Sequence, residues 1–166
     1  MVVEQVTGQS FADFLRDNIF KPLGMQETVA HREGASVVAN RAYGYHVGEN
    51  GVEWSDQSPW SAVLGDGGIY SSVKDLTRWD HALYENPLVD PALLEQAFTP
   101  GLAHYGFGWR IDEYAGRRRM HHDGSTIGFR NFILRFPEER LTVIVLTNRR
   151  EPDVQPLAEK VADLYL

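Results

Sequence analysis

The tightest constraint on this chain is Leu141-Thr142-Val143-Ile144-Val145-Leu146, a run that is apolar at five of six positions. It is joined through Pro137-Glu138-Glu139-Arg140 to a second apolar segment, Phe129 to Phe136. Runs of this length, rich in branched residues and bounded by a turn, read as strands. The near-continuous apolarity predicts a strand covered on both faces of its sheet. Upstream, Tyr105–Ile111 and Arg117–His122 read as two more strands around Tyr114-Ala115-Gly116, so the second half of the chain should be an antiparallel meander.

Helical spacing governs what lies on either side. Val2 to Thr7 has helical character and stops at Gly8. Ser10 then opens a helix with Asp13 three residues on, and Phe11, Phe14, Leu15 and Ile19 share one face before Pro22 and Gly24 end it. Ala42–Val47 and Val52–Trp54 flank a Gly-Glu-Asn-Gly turn, a hairpin signal. Gly65-Asp66-Gly67-Gly68 forms a tight loop. Ser72 caps the next helix, with Leu76, Trp79 and Leu83 as its apolar stripe and Asn86-Pro87 as its end. Pro91 suits the first turn of a short helix through Phe98. Residues 152–166 carry Leu157, Val161 and Leu164 at helical spacing, predicting a helix packed on the sheet. Helices and loops, then a meander, then a helix give an α+β class: an antiparallel sheet with helices packed on it.

Length and composition narrow the functions. With 166 residues the chain fits one domain. A net charge of −7 and the lack of a basic stripe exclude an ordinary nucleic-acid binder. Arg117-Arg118-Arg119 reads as the solvated part of a strand. No cysteine is present, which excludes disulfides, thiol nucleophiles and zinc–cysteine sites. No apolar run reaches membrane-spanning length, and Met1–Gln5 lacks the basic and apolar regions of a signal peptide. His121, His122 and Asp123 are adjacent, so in a strand their side chains alternate between faces. His81 and His104 are remote in sequence. Neither a metal nor any other cofactor is expected.

Chemistry concentrates in Met120-His121-His122-Asp123-Gly124-Ser125-Thr126-Ile127-Gly128-Phe129. Glycines let a backbone approach a ligand, and an N–H beside one can stabilise an oxyanion. A histidine at the strand edge can hydrogen-bond substrate or move a proton. Spacing alone equally describes, and indeed favours, a bulged turn at residues 122–125 with a satisfied surface histidine. Ser71-Ser72-Val73-Lys74 matches Ser-x-x-Lys, and Tyr84-Glu85-Asn86 matches Tyr-x-Asn. On one helix, Ser71 and Tyr84 would stand about 20 Å apart. A nucleophile and its proton partners need contact at about 3 Å. The matches are decoys: Ser72 caps the helix and Lys74 is solvated.

Several segments together resemble the β-lactamase/penicillin-binding-protein-like serine hydrolases, a group of class C β-lactamases, D-Ala-D-Ala carboxypeptidases and esterases. These are Val3–Phe11 with Ile19–Met25, Gly67–Leu76, Tyr105-Gly106-Phe107-Gly108-Trp109, His122-Asp123-Gly124 with Ser125–Phe129, and Leu146-Thr147-Asn148. His122-x-Gly124 is similar to the family's third motif. The resemblance implies catalytic roles for His122, Gly124 and Ser125, the Ser125 N–H acting as one oxyanion donor. It implies a substrate-side role for Asp66, Gly67 and Asp123, with Asp66-Gly67 at the cleft wall. A small glycine there points toward esters or peptides.

The family's nucleophile and Tyr-x-Asn should both precede Val2. The resemblance therefore implies that residues 1–166 are a single partial domain, the C-terminal portion of a serine acyl hydrolase, inactive alone. Its partner would be a small-molecule or peptidoglycan-like acyl substrate. Members are often periplasmic or secreted, although this chain carries no such signal. The alternative is a non-catalytic ligand-binding or self-associating module, dimerising through exposed sheet edges.

Overall fold

A computed structural model describes residues 1–57, 63–85 and 88–166. The elements run in the order α1 (Val2–Thr7), α2 (Phe11–Leu15), β1 (Val29–Ala30), β2 (Tyr45–Gly48), β3 (Gly51–Trp54), β4 (Ile69–Tyr70), α3 (Val73–Glu85), α4 (Pro91–Ala97), β5 (Arg110–Tyr114), β6 (Arg117–Thr126), β7 (Phe129–Phe136), β8 (Leu141–Thr147) and α5 (Gln155–Ala162). A π-helical turn at Arg16–Phe20 extends α2, and a short 3₁₀ turn spans Leu102–His104. The main sheet is an antiparallel meander, β5-β6-β7-β8, so the α+β expectation holds.

Local chemistry explains the starts of the helices. Ser10 Oγ accepts the Asp13 N–H, Ser72 Oγ accepts the Asp75 N–H, and Asp90 caps α4 ahead of Pro91. The helix begun at Ser10 buries Ala12, Leu15 and Phe20 against Met25 and Ala30, with Trp79 of α3 packed alongside. Asn86 and Pro87, expected to close α3, lie outside the described residues.

Helices cover both sheet faces. On one, α5 packs Val154, Ala158 and Ala162 against Phe132, Leu134, Phe136 and Val143. On the other, Trp109, Ile111 and Met120 form a cluster with Leu83 of α3, Phe98 and Ile133. Pleating sends Phe132 and Leu134 one way and Ile133 and Arg135 the other.

Four expectations need correction. Residues 105–109 are not strand: β5 starts only at Arg110, because Tyr105–Trp109 turn a corner. The turn expected at 122–125 is strand, since β6 continues to Thr126 and reverses at Ile127-Gly128. In the terminal segment the buried helix positions are Ala158 and Ala162, with Val161 packed partly buried beside them, whereas Leu157 and Leu164 are exposed. In β8 only Val143 is buried, because β8 is an edge strand.

Charge is also more deeply used than the sequence suggests. The most buried side chains of α3 include Asp75 and Asp80. Asp75 accepts the Glu27 N–H at 2.7 Å, the Thr28 hydroxyl at 2.9 Å and Arg78 Nη1 at 2.6 Å, tying the loop before β1 to α3. Asp80 holds the fully buried Arg135, whose guanidinium stacks over Tyr84 at 4.7 Å. Arg119 is likewise buried rather than solvated. It makes two bonds of 2.6 Å to Asp112 and one of 2.8 Å to Glu159 of α5.

The β2–β3 hairpin sits beside the β6–β7 turn. Tyr45 N–H donates to Asn148 O at 3.0 Å, and Arg150 N–H donates to Tyr45 O at 2.9 Å. At the junction the backbones of Gly44 and Gly128 touch, and a Cβ on Gly128 would overlap the Ser55 carbonyl. Only glycine permits that approach.

Candidate active site

The site begins where β5 stops. Arg110, the first residue of β5, lies opposite His121. Past that point β6 continues paired with β7 alone, through His122↔Ile133, Gly124↔Asn131 and Thr126↔Phe129. Among the described residues, 122–126 are therefore a strand with one neighbour and one open edge.

The α5-side face of this stretch borders an open cleft of about 460 Å³. Its walls are His121, Asp123, Gly124 and Ser125 of β6, Arg130 and Asn131 of β7, Arg110, and residues 153–155 leading into α5. Among the described residues, the side chains of Asp123 and Ser125 make no hydrogen bond or ion pair. The Arg110 guanidinium lies 5.9 Å from the Tyr105 ring centroid, and its charge acts on His121. Gly124 has no close neighbour that demands glycine: a Cβ there would meet Asn131 at an ordinary 3.6 Å.

His122 projects to the opposite face. Its Nε2 is 2.6 Å from the Tyr105 hydroxyl and its Nδ1 is 2.7 Å from the Asp123 carbonyl oxygen. His121, one residue earlier, is buried under α5 beside Asp112 (3.4 Å) and the Phe132 ring. Burial pushes the His121 imidazole below the ordinary histidine range. The nearby Arg119 charge adds to this, and Asp112 opposes it. Hydrogen bonds from Arg119 hold Asp112 below the usual carboxylate range.

The geometry that decides kinship is an ordered set: the corner at Tyr105–Trp109, an edge strand carrying His122-Asp123-Gly124, and a terminal helix over the sheet. Residues 1–166 match the Beta-lactamase family over that whole span. The chain belongs to this family of β-lactamase-like serine hydrolases. It is 31% identical to penicillin-binding protein 4* of Bacillus subtilis over 91% of its own length and 38% of that protein's. It is 30% identical to a D-aminopeptidase of Brucella ovis, over 89% of this chain and 29% of the relative. The octameric penicillin-binding protein homologue from Pyrococcus abyssi superposes with a TM-score of 0.85 at 26% identity, covering 99% of this chain and 39% of that one. The chain thus spans well under half the length of these relatives.

Within this β-lactamase-family chain, the residues expected at the site fall into three places. Asp123, Gly124 and Ser125 share the open strand edge and the cleft. His122 adjoins them on the other face. Asp66 and Gly67 lie in the turn after Leu64, where Gly67 N–H donates to Val63 O at 2.7 Å, and they do not line the cleft around Ser125. Ser71 also stands elsewhere, its hydroxyl 2.8 Å from that of Thr28, and Lys74 is exposed. Of the Tyr84–Asn86 match, Tyr84 packs on Arg135 and Asn86 is outside the described residues.

Tyr105, Arg110 and Arg130 escaped the sequence reading. The sequence places Tyr105 within a strand and singles out neither arginine. The Gly106 and Gly108 flanking Phe107 were the available signal that this segment bends.

Proposed function

We propose that this chain supplies the third-motif wall of an acyl-transfer cleft in a longer serine hydrolase. The observation carrying the proposal is the open edge of β6 at residues 122–126, bearing a glycine that the fold itself does not require. A strand edge without a partner offers N–H and C=O groups to an extended substrate. A glycine that costs stability in a strand and fills no packing need suits close approach of a ligand to backbone.

In this reading a serine outside residues 1–166 attacks the carbonyl of a D-amino-acyl amide, ester or lactam. The hydroxyl proton passes to a base, the carbonyl carbon becomes tetrahedral, and the oxyanion accepts a hydrogen bond from the Ser125 N–H. One such donor accounts for about 10²–10³ in rate. Collapse expels the leaving group as it gains a proton, with His122 near enough to the strand edge to contact substrate or leaving group. Water then releases the acyl group from the serine. Asp123 and Ser125, whose side chains are unpaired, face the part of the substrate beyond the scissile bond. The D-aminopeptidase relative favours an amide or peptide substrate with a D-residue.

The test is covalent labelling of the full-length protein with a fluorescent penicillin and turnover of p-nitrophenyl esters and D-alanine p-nitroanilide. Labelling at a serine outside residues 1–166 is expected, with the 166-residue chain itself unlabelled. Absence of both adduct and turnover in the full-length protein would defeat the proposal, and an adduct on Ser71 would overturn its decoy status.

A further inference from the structure

Tyr105 reaches His122 along a stretch of backbone held in an unfavourable shape. Ala103 and His104 both have left-handed φ, 56° and 57°. Residues bearing a Cβ adopt that conformation at a cost, and two in succession persist only where the surroundings impose them. Here Tyr105 N–H donates to Leu102 O at 3.2 Å and Gly101 N–H donates to Tyr105 O at 3.0 Å. Gly106 N–H donates to Trp109 O at 2.8 Å, and Phe107 N–H donates to Ala97 O at 2.9 Å. Gly106 is pressed so closely on the Ala97 carbonyl that a Cβ would overlap it. The corner is over-determined, and what it delivers is a phenol oxygen 2.6 Å from a histidine nitrogen. The two rings meet nearly edge-on with centroids 5.8 Å apart.

The two ring contacts together set the place of the proton. Nδ1 of His122 lies 2.7 Å from the Asp123 carbonyl oxygen, which can only accept. Nδ1 therefore carries the hydrogen, Nε2 of the neutral ring holds the lone pair, and Tyr105 donates to it. Core packing does not explain the pair, because Tyr105 is 37% exposed.

We infer that Tyr105 is a positioning residue for His122, holding its ring in one orientation and in the Nδ1–H tautomer with Nε2 as acceptor. Its catalytic consequence rests on the acyl-hydrolase reading. Nε2 is then preset to exchange its tyrosine partner for a hydrogen on substrate or leaving group. The assignment of tautomer and orientation stands on the geometry alone.

The experiment is two-bond ¹H–¹⁵N spectroscopy of histidine rings in the 166-residue chain at about pH 9, above the usual histidine range. His122 should show a protonated Nδ1 and an unprotonated Nε2. Tyr105→Phe should move the population toward Nε2–H while the amide spectrum of β6 is kept. An Nε2–H tautomer in the unaltered chain, or a tautomer indifferent to Tyr105→Phe, would overturn the inference. In the full-length protein, Tyr105→Phe should lower kcat about tenfold or more with little change in KM, and displace the pH–rate profile. Unchanged kcat and profile would remove the catalytic consequence while leaving the hydrolase reading intact. A full-length protein with no turnover would defeat that reading and leave the tautomer to be decided by the spectra.

Discussion

Among the described residues, 117–121 of β6 have a strand on either side, whereas 122–126 have only β7. The first stretch is buried toward its end, with Arg119, Met120 and His121 at 8%, 0% and 6% exposure. Its charges are matched: Arg119 by Asp112 and Glu159, Arg117 by Glu139 at 3.0 Å, and Arg118 by Glu138 at 3.7 Å. The second stretch exposes Asp123, Gly124 and Ser125, and among the described residues the side chains of Asp123 and Ser125 are unmatched. Both stretches are polar in sequence. What separates them is whether a neighbouring strand and helix satisfy their polar groups. The first half is built for stability, while in the second His122 and Thr126 are paired and Asp123 and Ser125 are left available to something else.

The largest effect that separates the halves should come from Met120. Met120→Ala removes a fully buried side chain and should cost about 2–5 kcal/mol in denaturant unfolding. A loss under about 1 kcal/mol would break the claim that this half is core. Next, Arg119→Met deprives Asp112 and Glu159 of their shared partner. Both carboxylates keep some access to water, so the expected cost is about 1–3 kcal/mol.

Acidification sharpens the same contrast. The folded His121 binds its proton less readily than the ordinary value of 6.5, so the unfolded chain takes up that proton first as pH falls. Stability should therefore decline as pH drops below 6.5 and continue to decline toward the folded value. Asp112, lowered from 3.8 mainly by Arg119, contributes stability that is present above 3.8 and lost as pH falls through its folded value. Unfolding midpoints between about pH 5 and pH 7 should slope for the unaltered chain and flatten for His121→Phe. A protein growing more stable on acidification over that window would mean that the Asp112 contact outweighs burial.

The smallest stability effect belongs to the open half. Gly124→Ala should change unfolding free energy by no more than about 1 kcal/mol, since a Cβ has room and a strand gains from losing glycine. The same change should slow acylation of the full-length protein by about tenfold or more, read by stopped-flow with a fluorescent penicillin. A variant that keeps its acylation rate would place the substrate elsewhere.

Much of this protein could be read without coordinates where the signal was local. Phe129–Phe136 and Leu141–Thr147 are strands over the stretches their apolar runs mark, and Ser10, Ser72 and Pro91 start helices because capping depends on neighbours within three residues. Apart from the corner at Tyr105–Trp109, the readings that failed depended on a partner distant in the chain. Nothing near Arg119 announces Glu159, nothing in the α5 segment says that alanines rather than leucines will meet the sheet, and nothing around His122 names Tyr105. Capping, turns and periodicity are set by atoms a few bonds away, so the order of residues determines them. Whether a charge is buried, whether a strand edge stays open, and which nitrogen of a histidine holds the proton depend on groups that only the folded sheet and its helices bring within hydrogen-bond distance.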